Sequence, residues 1–398
     1  MYNTKYPFQI DTPCYIINTE KLNSNLSDIY DNFSKYWNCH ISIGYSVKTN
    51  HFPYFLHWAK SKGMMAEVVS ADEYNYALAQ GFKEKNIIFN GPQKYTKSLL
   101  RAIKKGSLIN IDNLNELDII EKYRNKLPVL FSVGIRVNFN LEENCPNETT
   151  AGNEVSRFGI CEENGDFKTA VKRLHDMRIK INGLHLHYST KTRSLKVFST
   201  LAKKACELAI RYNLVDEIDY IDIGGGFFGG RALPGKPTME EYSREITDIL
   251  QDTFSMDRVK LIIEPGASLI ATAIDYYCKV INIRDIRSHR VVTVDGSILH
   301  INPFMQNRTP KYNIISDAKE TVDEQIVCGA TCMEMDRFFT LRNNMGLQKG
   351  DLIKIENAGA YTLAFNSYFI NTPPAIYLEG NHKISKLRRK RLMNMSVL

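Results

Sequence analysis

Six short segments of this chain carry residue types that could do chemistry together. Ile41-Ser42-Ile43-Gly44-Tyr45-Ser46-Val47-Lys48 reads as a short buried strand with a lysine at its C-terminal end. Burying a lysine is costly, so its place needs a reason. A side chain that reaches out to water is one reason. An amine whose surroundings make it a nucleophile toward carbonyls is the other. Arg136 and, in Ser156-Arg157-Phe158-Gly159, Arg157 offer guanidinium groups. His185-Leu186-His187-Tyr188-Ser189-Thr190 offers a ring and a hydroxyl, and Asp222-Ile223-Gly224-Gly225-Gly226-Phe227 three consecutive glycines. Backbone without side chains can approach an anion closely and present several N–H donors, although a glycine run is also an ordinary turn. Glu264-Pro265-Gly266 places one carboxylate in a turn.

What must position these groups is a regular alternation of apolar strands and amphipathic helices. The pattern predicts strands at 41–48, 64–69, 86–91, 107–112, 131–138, 181–188, 219–224 and 260–264, with helical periodicity between most of them. Eight such repeats indicate an α/β fold, a (β/α)8 TIM-like barrel, in which working residues sit at the C-terminal strand ends. Each group named above except Arg157, which follows in the segment after strand 131–138, falls at or just after one of those ends. From about residue 270 the texture becomes alternating, turn-rich and poor in long helices, as in an all-β domain. The expected organisation is residues 1–35 as an N-terminal strand and helix packing on the β domain, 36–270 as the barrel, 271–380 as a β-barrel-like domain and 381–398 as a basic tail.

A lysine amine, a histidine ring, a glycine cradle and a lone carboxylate at one barrel mouth describe a pocket for pyridoxal 5′-phosphate. The chain also resembles, over roughly residues 12–378, the fold type III pyridoxal-phosphate decarboxylases, the diaminopimelate/ornithine decarboxylase family. The resemblance rests on Tyr45-Ser46-Val47-Lys48-Thr49-Asn50, Arg136-Val137-Asn138, Arg157-Phe158-Gly159-Ile160, His185-Leu186-His187, Asp222-Ile223-Gly224-Gly225-Gly226, Glu264-Pro265-Gly266, Cys328-Gly329-Ala330-Thr331-Cys332 and Ala358-Gly359-Ala360-Tyr361-Thr362, all in the family's order. It implies a Schiff base at Lys48 and His187 stacked on the cofactor ring. It implies phosphate contacts from Gly224, Gly225, Gly226, Tyr361 and Thr190, the last where the family has serine. Arg136 and Gly266 join the cofactor-binding set, and Glu264 pairs with the ring nitrogen. Catalysis falls to Lys48, His187 and Cys332, the cysteine coming from the second subunit of an obligate homodimer with shared sites.

Departures from the family pattern bear on the substrate. Ala267 follows Glu-Pro-Gly where an arginine is usual, and Asn302 stands at another arginine position. Met333 replaces the acid that reads a distal amine, and Gln306 and Asn307 replace the tyrosine and aspartate of ornithine-type loops. An unpaired distal ammonium would be costly there. With Arg308 and Lys311 in the same segment, the expected substrate is an amino acid or amino-acid conjugate with a polar or anionic far end, such as a siderophore or specialised-metabolite intermediate. Substrate contacts are expected from Arg157, Met333, Gln306, Asn307 and Arg308. The alternatives are diaminopimelate or carboxynorspermidine decarboxylase, an amino-acid racemase on the same barrel, and a catalytically inactive regulatory homologue. Glu264 speaks against the racemase, because alanine racemases place an arginine at the ring nitrogen.

Composition narrows the remaining classes. At 43% hydrophobic and 24% charged, the 398 residues are ordinary for a soluble globular protein. No apolar run is long enough for a transmembrane helix, so no membrane partner is expected. The N-terminus lacks an apolar signal region, and the cysteines form no CxxC pair. This favours the cytoplasm and argues against a structural metal. Six basic residues between Lys383 and Arg391 account for most of the net charge of +7. No aromatic residue interleaves with them, so nucleic acid is not an expected partner.

Overall fold

A computed structural model describes residues 10–38, 40–150, 155–365, 369–381 and 383–388. In chain order the strands are β1 (Cys14–Asn18), β2 (Ile41–Ser46), β3 (Met65–Ser70), β4 (Ile87–Gln93), β5 (Leu108–Ile111), β6 (Ser132–Asn138), β7 (Ile160–Cys161), β8 (Lys180–His185), β9 (Tyr220–Asp222), β10 (Lys260–Ile263), β11 (Ile274–Ile286), β12 (His289–Val294), β13 (Tyr312–Ile315), β14 (Thr321–Cys328), β15 (Arg337–Met345), β16 (Leu352–Ile355), β17 (Ala375–Gly380) and β18 (Lys383–Arg388). The chain forms two compact units, residues 26–268 and residues 1–25 with 269–398.

Unit 26–268 is the expected barrel. Its sheet runs β5-β4-β3-β2-β10-β9-β8-β6, and β5 pairs with β6 to close the ring of eight. The ring pairings are all parallel. Helices such as Leu195–Arg211 and Met239–Leu250 cover it, each burying one face. The second helix begins with a capping box between Thr238 and Glu241, which satisfies donors its first turn leaves open. Parallel strands covered in this way are buried on both faces.

Unit 1–25 with 269–398 is a β domain, its main sheet ordered β15-β14-β12-β11-β1-β17-β18. Most pairings are antiparallel, but β1 joins β17, and β12 joins β14, in parallel. The N-terminal strand thus completes a sheet made largely from the end of the chain.

Two boundaries differ from expectation. Residues 1–35 do not all go with the β domain, because the unit boundary falls inside the helix Thr19–Tyr36. Asn25 Nδ2 donates to Leu269 O at 2.7 Å, on the β side. Phe33 packs edge-on to Phe227, and Trp37 Nε1 donates to Val259 O at 2.8 Å, on the barrel side. Nor is the basic segment wholly a tail, since β18 pairs antiparallel with β17. Ile384 packs against the buried cluster of Cys14, Ile16, Tyr277, Ala375 and Tyr377. Lys386 pairs with Asp11 at 2.5 Å. Alternation of apolar and charged residues lets that strand bury one side and keep its charges wet.

Candidate active site

The C-terminal mouth of the barrel gathers the chemistry. β2 ends at Ser46, two residues earlier than expected, and Val47–Thr49 make a single 3-10 turn. That turn carries Lys48 off the strand axis toward β3. Its Nζ lies 2.6 Å from Glu67 Oε2, and Ser46 Oγ donates to the same oxygen at 2.7 Å. Burial pushes the Glu67 carboxyl up, but the Lys48 charge and hydrogen bonds from Lys48, Ser46 and Asn90 more than reverse this, leaving it below the usual range.

A polar layer crosses the barrel beneath this pair. Asn90 on β4 donates to Glu264 Oε1 at 2.7 Å and to Glu67 Oε1 at 3.2 Å. Glu264 follows β10 and is 5% exposed. His185, Asp222 and Glu264 bring one ligand atom each within 4.8 Å of one another. Burial raises Glu264 well above the usual carboxyl range, and the charges of Asp222 and Glu67 raise it further. Asp222 is pushed up to about 7, chiefly by burial. Burial, then the Arg136 charge, drives His185 well below an ordinary histidine and His187 down to about 3. Both rings are therefore neutral near pH 7.

The glycine turn is built around His187. Gly225 N donates to His187 Nδ1 at 3.3 Å, and Gly224 N to Asp222 Oδ1 at 2.8 Å. A Cβ on Gly224 would lie 2.6 Å from His187 Cβ, and one on Gly225 would lie 2.2 Å from Glu264 O. Gly226 adopts φ of 92°, which suits glycine. A Cβ on Gly266 would lie 2.1 Å from Thr49 Oγ1, beside Lys48. The rings of His185 and His187 are nearly parallel, 6.3 Å apart at an interplanar angle of 11°. Arg136 reaches Asp112 and His187 O at 3.5 Å each, and both Arg136 and Arg157 lie over the Phe158 ring. Arg157 itself is exposed, and Thr190, half-buried, bridges to Thr149.

The structure thus brings together Lys48, Arg136, His187, Gly224, Gly225, Gly226, Glu264 and Gly266 in one unit. Cys332, Met333, Gln306, Asn307, Arg308 and Tyr361 belong to the other unit. There Cys332 is exposed and Met333 half-buried. Asn302 clamps the loop by bonding Gln306 O and N at 2.7 and 3.1 Å. Asn307 and Arg308 are exposed, and Arg308 Nη2 reaches Ile301 O at 3.5 Å. Tyr361 has φ of 59° and its ring lies 6.3 Å from that of Phe304. Lys311, read as a cation of the substrate segment, is paired with Glu356 at 2.6 Å.

Sequence reasoning missed Glu67, Asn90 and Tyr220. Each sits within an apolar strand, in Met65-Ala66-Glu67-Val68, Ile88-Phe89-Asn90-Gly91 and Tyr220-Ile221-Asp222. A lone polar residue in such a run was the available signal, since buried polar groups require partners.

The chain is similar to known proteins. Residues 20–271 match the family described as pyridoxal-dependent decarboxylase, pyridoxal binding domain. The diaminopimelate decarboxylase of Zymomonas mobilis is 26% identical, covering 96% of this chain and 91% of its own. That of Aquifex aeolicus is also 26% identical, covering 88% and 83%. Among solved structures, diaminopimelate decarboxylase from M. jannaschii in complex with L-lysine superposes with a TM-score of 0.84 at 23% identity, covering 96% of this chain and 90% of that one. The arginine decarboxylase of Paramecium bursaria Chlorella virus gives 0.75 at 20% identity, covering 94% and 96%.

Proposed function

This chain belongs to the pyridoxal-dependent decarboxylases, and we propose that it removes CO2 from an amino acid or amino-acid conjugate whose distal end is polar or anionic, using Lys48 as its cofactor lysine. It is a pyridoxal-phosphate enzyme of the carboxy-lyase class acting on a small amino-acid substrate. The observation that carries the site assignment is Lys48 Nζ, held 2.6 Å from buried Glu67 at the barrel mouth.

The residues fit the cofactor. At Gly226 an added Cβ would meet nothing closer than 3.8 Å, so the glycine turn is open at that residue. Arg136 Nε, both His185 ring nitrogens and Asp222 Oδ2 are buried without a hydrogen-bond partner. Three buried carboxylates converge near one partly exposed ammonium, an arrangement that favours an added cationic ring. In this reading Lys48 would hold the aldehyde and Gly224, Gly225, Gly226 and Thr190 the phosphate, with Gly266 and Arg136 in the cofactor-binding set and His187 against the ring; the family pattern adds Tyr361 to the phosphate contacts. When bound, pyridoxal 5′-phosphate supplies the electron-accepting ring on which loss of CO2 depends.

The chain's own residues do the rest. Glu67 orients the Lys48 amine. Glu264, raised by burial, would be ionised beside a cationic ring and would then hold a proton on that ring's nitrogen. The partner subunit's Cys332 returns a proton to Cα in a two-fold homodimer. Neutral His187 presents a face without adding charge. Met333, Gln306 and Asn307 offer no carboxylate to a distal ammonium, and Arg308 offers a cation to a distal anion. Arg157 completes the substrate contacts.

A second reading, diaminopimelate decarboxylation, is favoured by the names of the relatives that span nearly the whole chain. Borohydride reduction of the purified protein followed by peptide mapping tests the lysine, with the label expected on Lys48. A CO2-release panel tests the substrate. Fastest turnover on free ornithine, lysine or diaminopimelate would remove the distal-anion proposal and leave the decarboxylase.

A further inference from the structure

A buried hydrogen-bond chain runs along the inside of the barrel to the site just described. Tyr220 Oη donates to Asn110 Oδ1 at 2.7 Å. Asn110 Nδ2 donates to Asn90 Oδ1 at 2.8 Å. Asn90 Nδ2 then donates to Glu264 Oε1 and Glu67 Oε1, and Lys48 bonds the other Glu67 oxygen. Tyr220, Asn110 and Asn90 are each 3% exposed or less. Tyr220 begins β9 and lines a basin at the opposite, N-terminal mouth. Its ring is seated by two glycines on neighbouring strands. A Cβ on Gly134 would lie 2.0 Å from Tyr220 Oη, and one on Gly183 would lie 2.1 Å from Tyr220 Cζ.

An amide has a donor end and an acceptor end, so a chain of amides has a direction. Turned one way, Asn90 offers N–H groups to two carboxylates. Turned the other way, it offers them an oxygen. A phenol that keeps its proton can pin the favourable direction from the far end by donating to Asn110. Burial, then the charges of Asp222 and Glu264, keeps the Tyr220 proton on by raising its release well above the ordinary phenol range.

We infer that Tyr220 is a positioning residue, whose hydroxyl sets the direction of the Asn110–Asn90 chain so that Asn90 donates to Glu67 and Glu264 at the catalytic end. The inference rests on the reading of Glu264 above, because a donated hydrogen bond favours the charged form of that acid. Glu264 is faced by Lys48, by Glu67 of β3, by His185 of β8 and by Asp222 of β9, with Arg136 of β6 next to His185 and Asp222. None of these replaces the Asn90 donor at Oε1.

Tyr220→Phe keeps the ring and removes the donor. Without it the folded state binds the Glu264 proton more tightly. An acid whose folded proton affinity is raised loses its stability contribution as pH rises, so the variant falls further behind wild type with increasing pH. The thermal midpoints of the full-length proteins read this. The gap between wild type and Tyr220→Phe is expected to widen by roughly 2 °C from about pH 5 to about pH 9. Asn90→Ala is expected to show the same trend, and the double variant no more than Asn90→Ala alone, since the two act in series. Ile88→Val, in the same buried cluster as Tyr220, serves as the packing control and should give a flat gap. The acid limb of the CO2-release profile of Tyr220→Phe should move to higher pH in parallel. A gap as flat as that of Ile88→Val, or an additive double variant, would reduce Tyr220 to packing and overturn the inference. If Tyr220→Phe does not fold, Asn110→Leu cuts the same chain and decides on the same readout. Wild type and variant are compared in the same cofactor state, so a flat gap is distinguishable from a failure to label Lys48.

Discussion

Lys48 Nζ and Glu67 Oε2 lie 2.6 Å apart across the rim of the barrel, with the lysine side chain 36% exposed and the glutamate 1%. The carboxylate is fixed from inside, by Ser46 and Asn90, and the amine is held by it at the edge of solvent. A nucleophilic amine needs this combination of a fixed position and an open approach.

Replacing Lys48 with alanine removes the amine itself. Borohydride should then leave no label on the protein, and any visible band of bound cofactor should be lost. CO2 release is expected to fall by about a thousandfold or more. Retained labelling at another lysine would move the site.

Glu67→Gln keeps the shape and removes the charge. Glu67 has a lowered proton affinity in the fold, so its contribution is present above its unfolded value and lost as pH falls through the folded one. The stability gap to wild type should therefore be full near neutral pH and close on acidification below about pH 4. Because Lys48 is partly solvated, about 1–2 kcal/mol is expected rather than the larger figure of a fully buried pair. Chemical denaturation at a series of pH values measures it.

Asp222 is pushed up to about 7. Its folded value lies above its unfolded one, so its contribution is fully present below about pH 4 and lost as pH rises through neutral. Asp222→Asn should flatten the decline in thermal midpoint between about pH 4 and about pH 7, while lowering it at acid pH. An unchanged pH dependence would place the buried charge elsewhere.

Gly225→Ala adds one methyl group against Glu264 O, at 2.2 Å. The turn must shift, at a cost of about 1–3 kcal/mol. Affinity for pyridoxal 5′-phosphate is expected to weaken by about tenfold to a hundredfold. Fluorescence titration of the cofactor checks this.

If each site takes Cys332 from a second copy, Lys48→Ala and Cys332→Ala are each inactive alone but complement when mixed. One of the two sites in each hybrid dimer is then intact, so about a quarter of wild-type activity should return. No recovery on mixing under conditions that exchange subunits would place both groups on one chain.

Much of this was legible in the residues. The eight-fold alternation set the barrel, because parallel strands covered by helices must be apolar throughout. Lys48, the glycines at 224–226 and Glu264 stood out because each breaks that rule at a strand end, where the barrel keeps its chemistry. What stayed hidden lies inside the barrel. Glu67, Asn90, Asn110 and Tyr220 come from four strands, and nothing in linear order says that they touch. Their partners are set by register: β3 beside β4, β4 beside β5, and an Asn110–Tyr220 bond that crosses the barrel interior. Closure of the ring decides which buried polar groups meet, and with it the direction of the amide chain. Only the folded sheet determines that, because each of these groups finds its hydrogen-bond partner on a different strand.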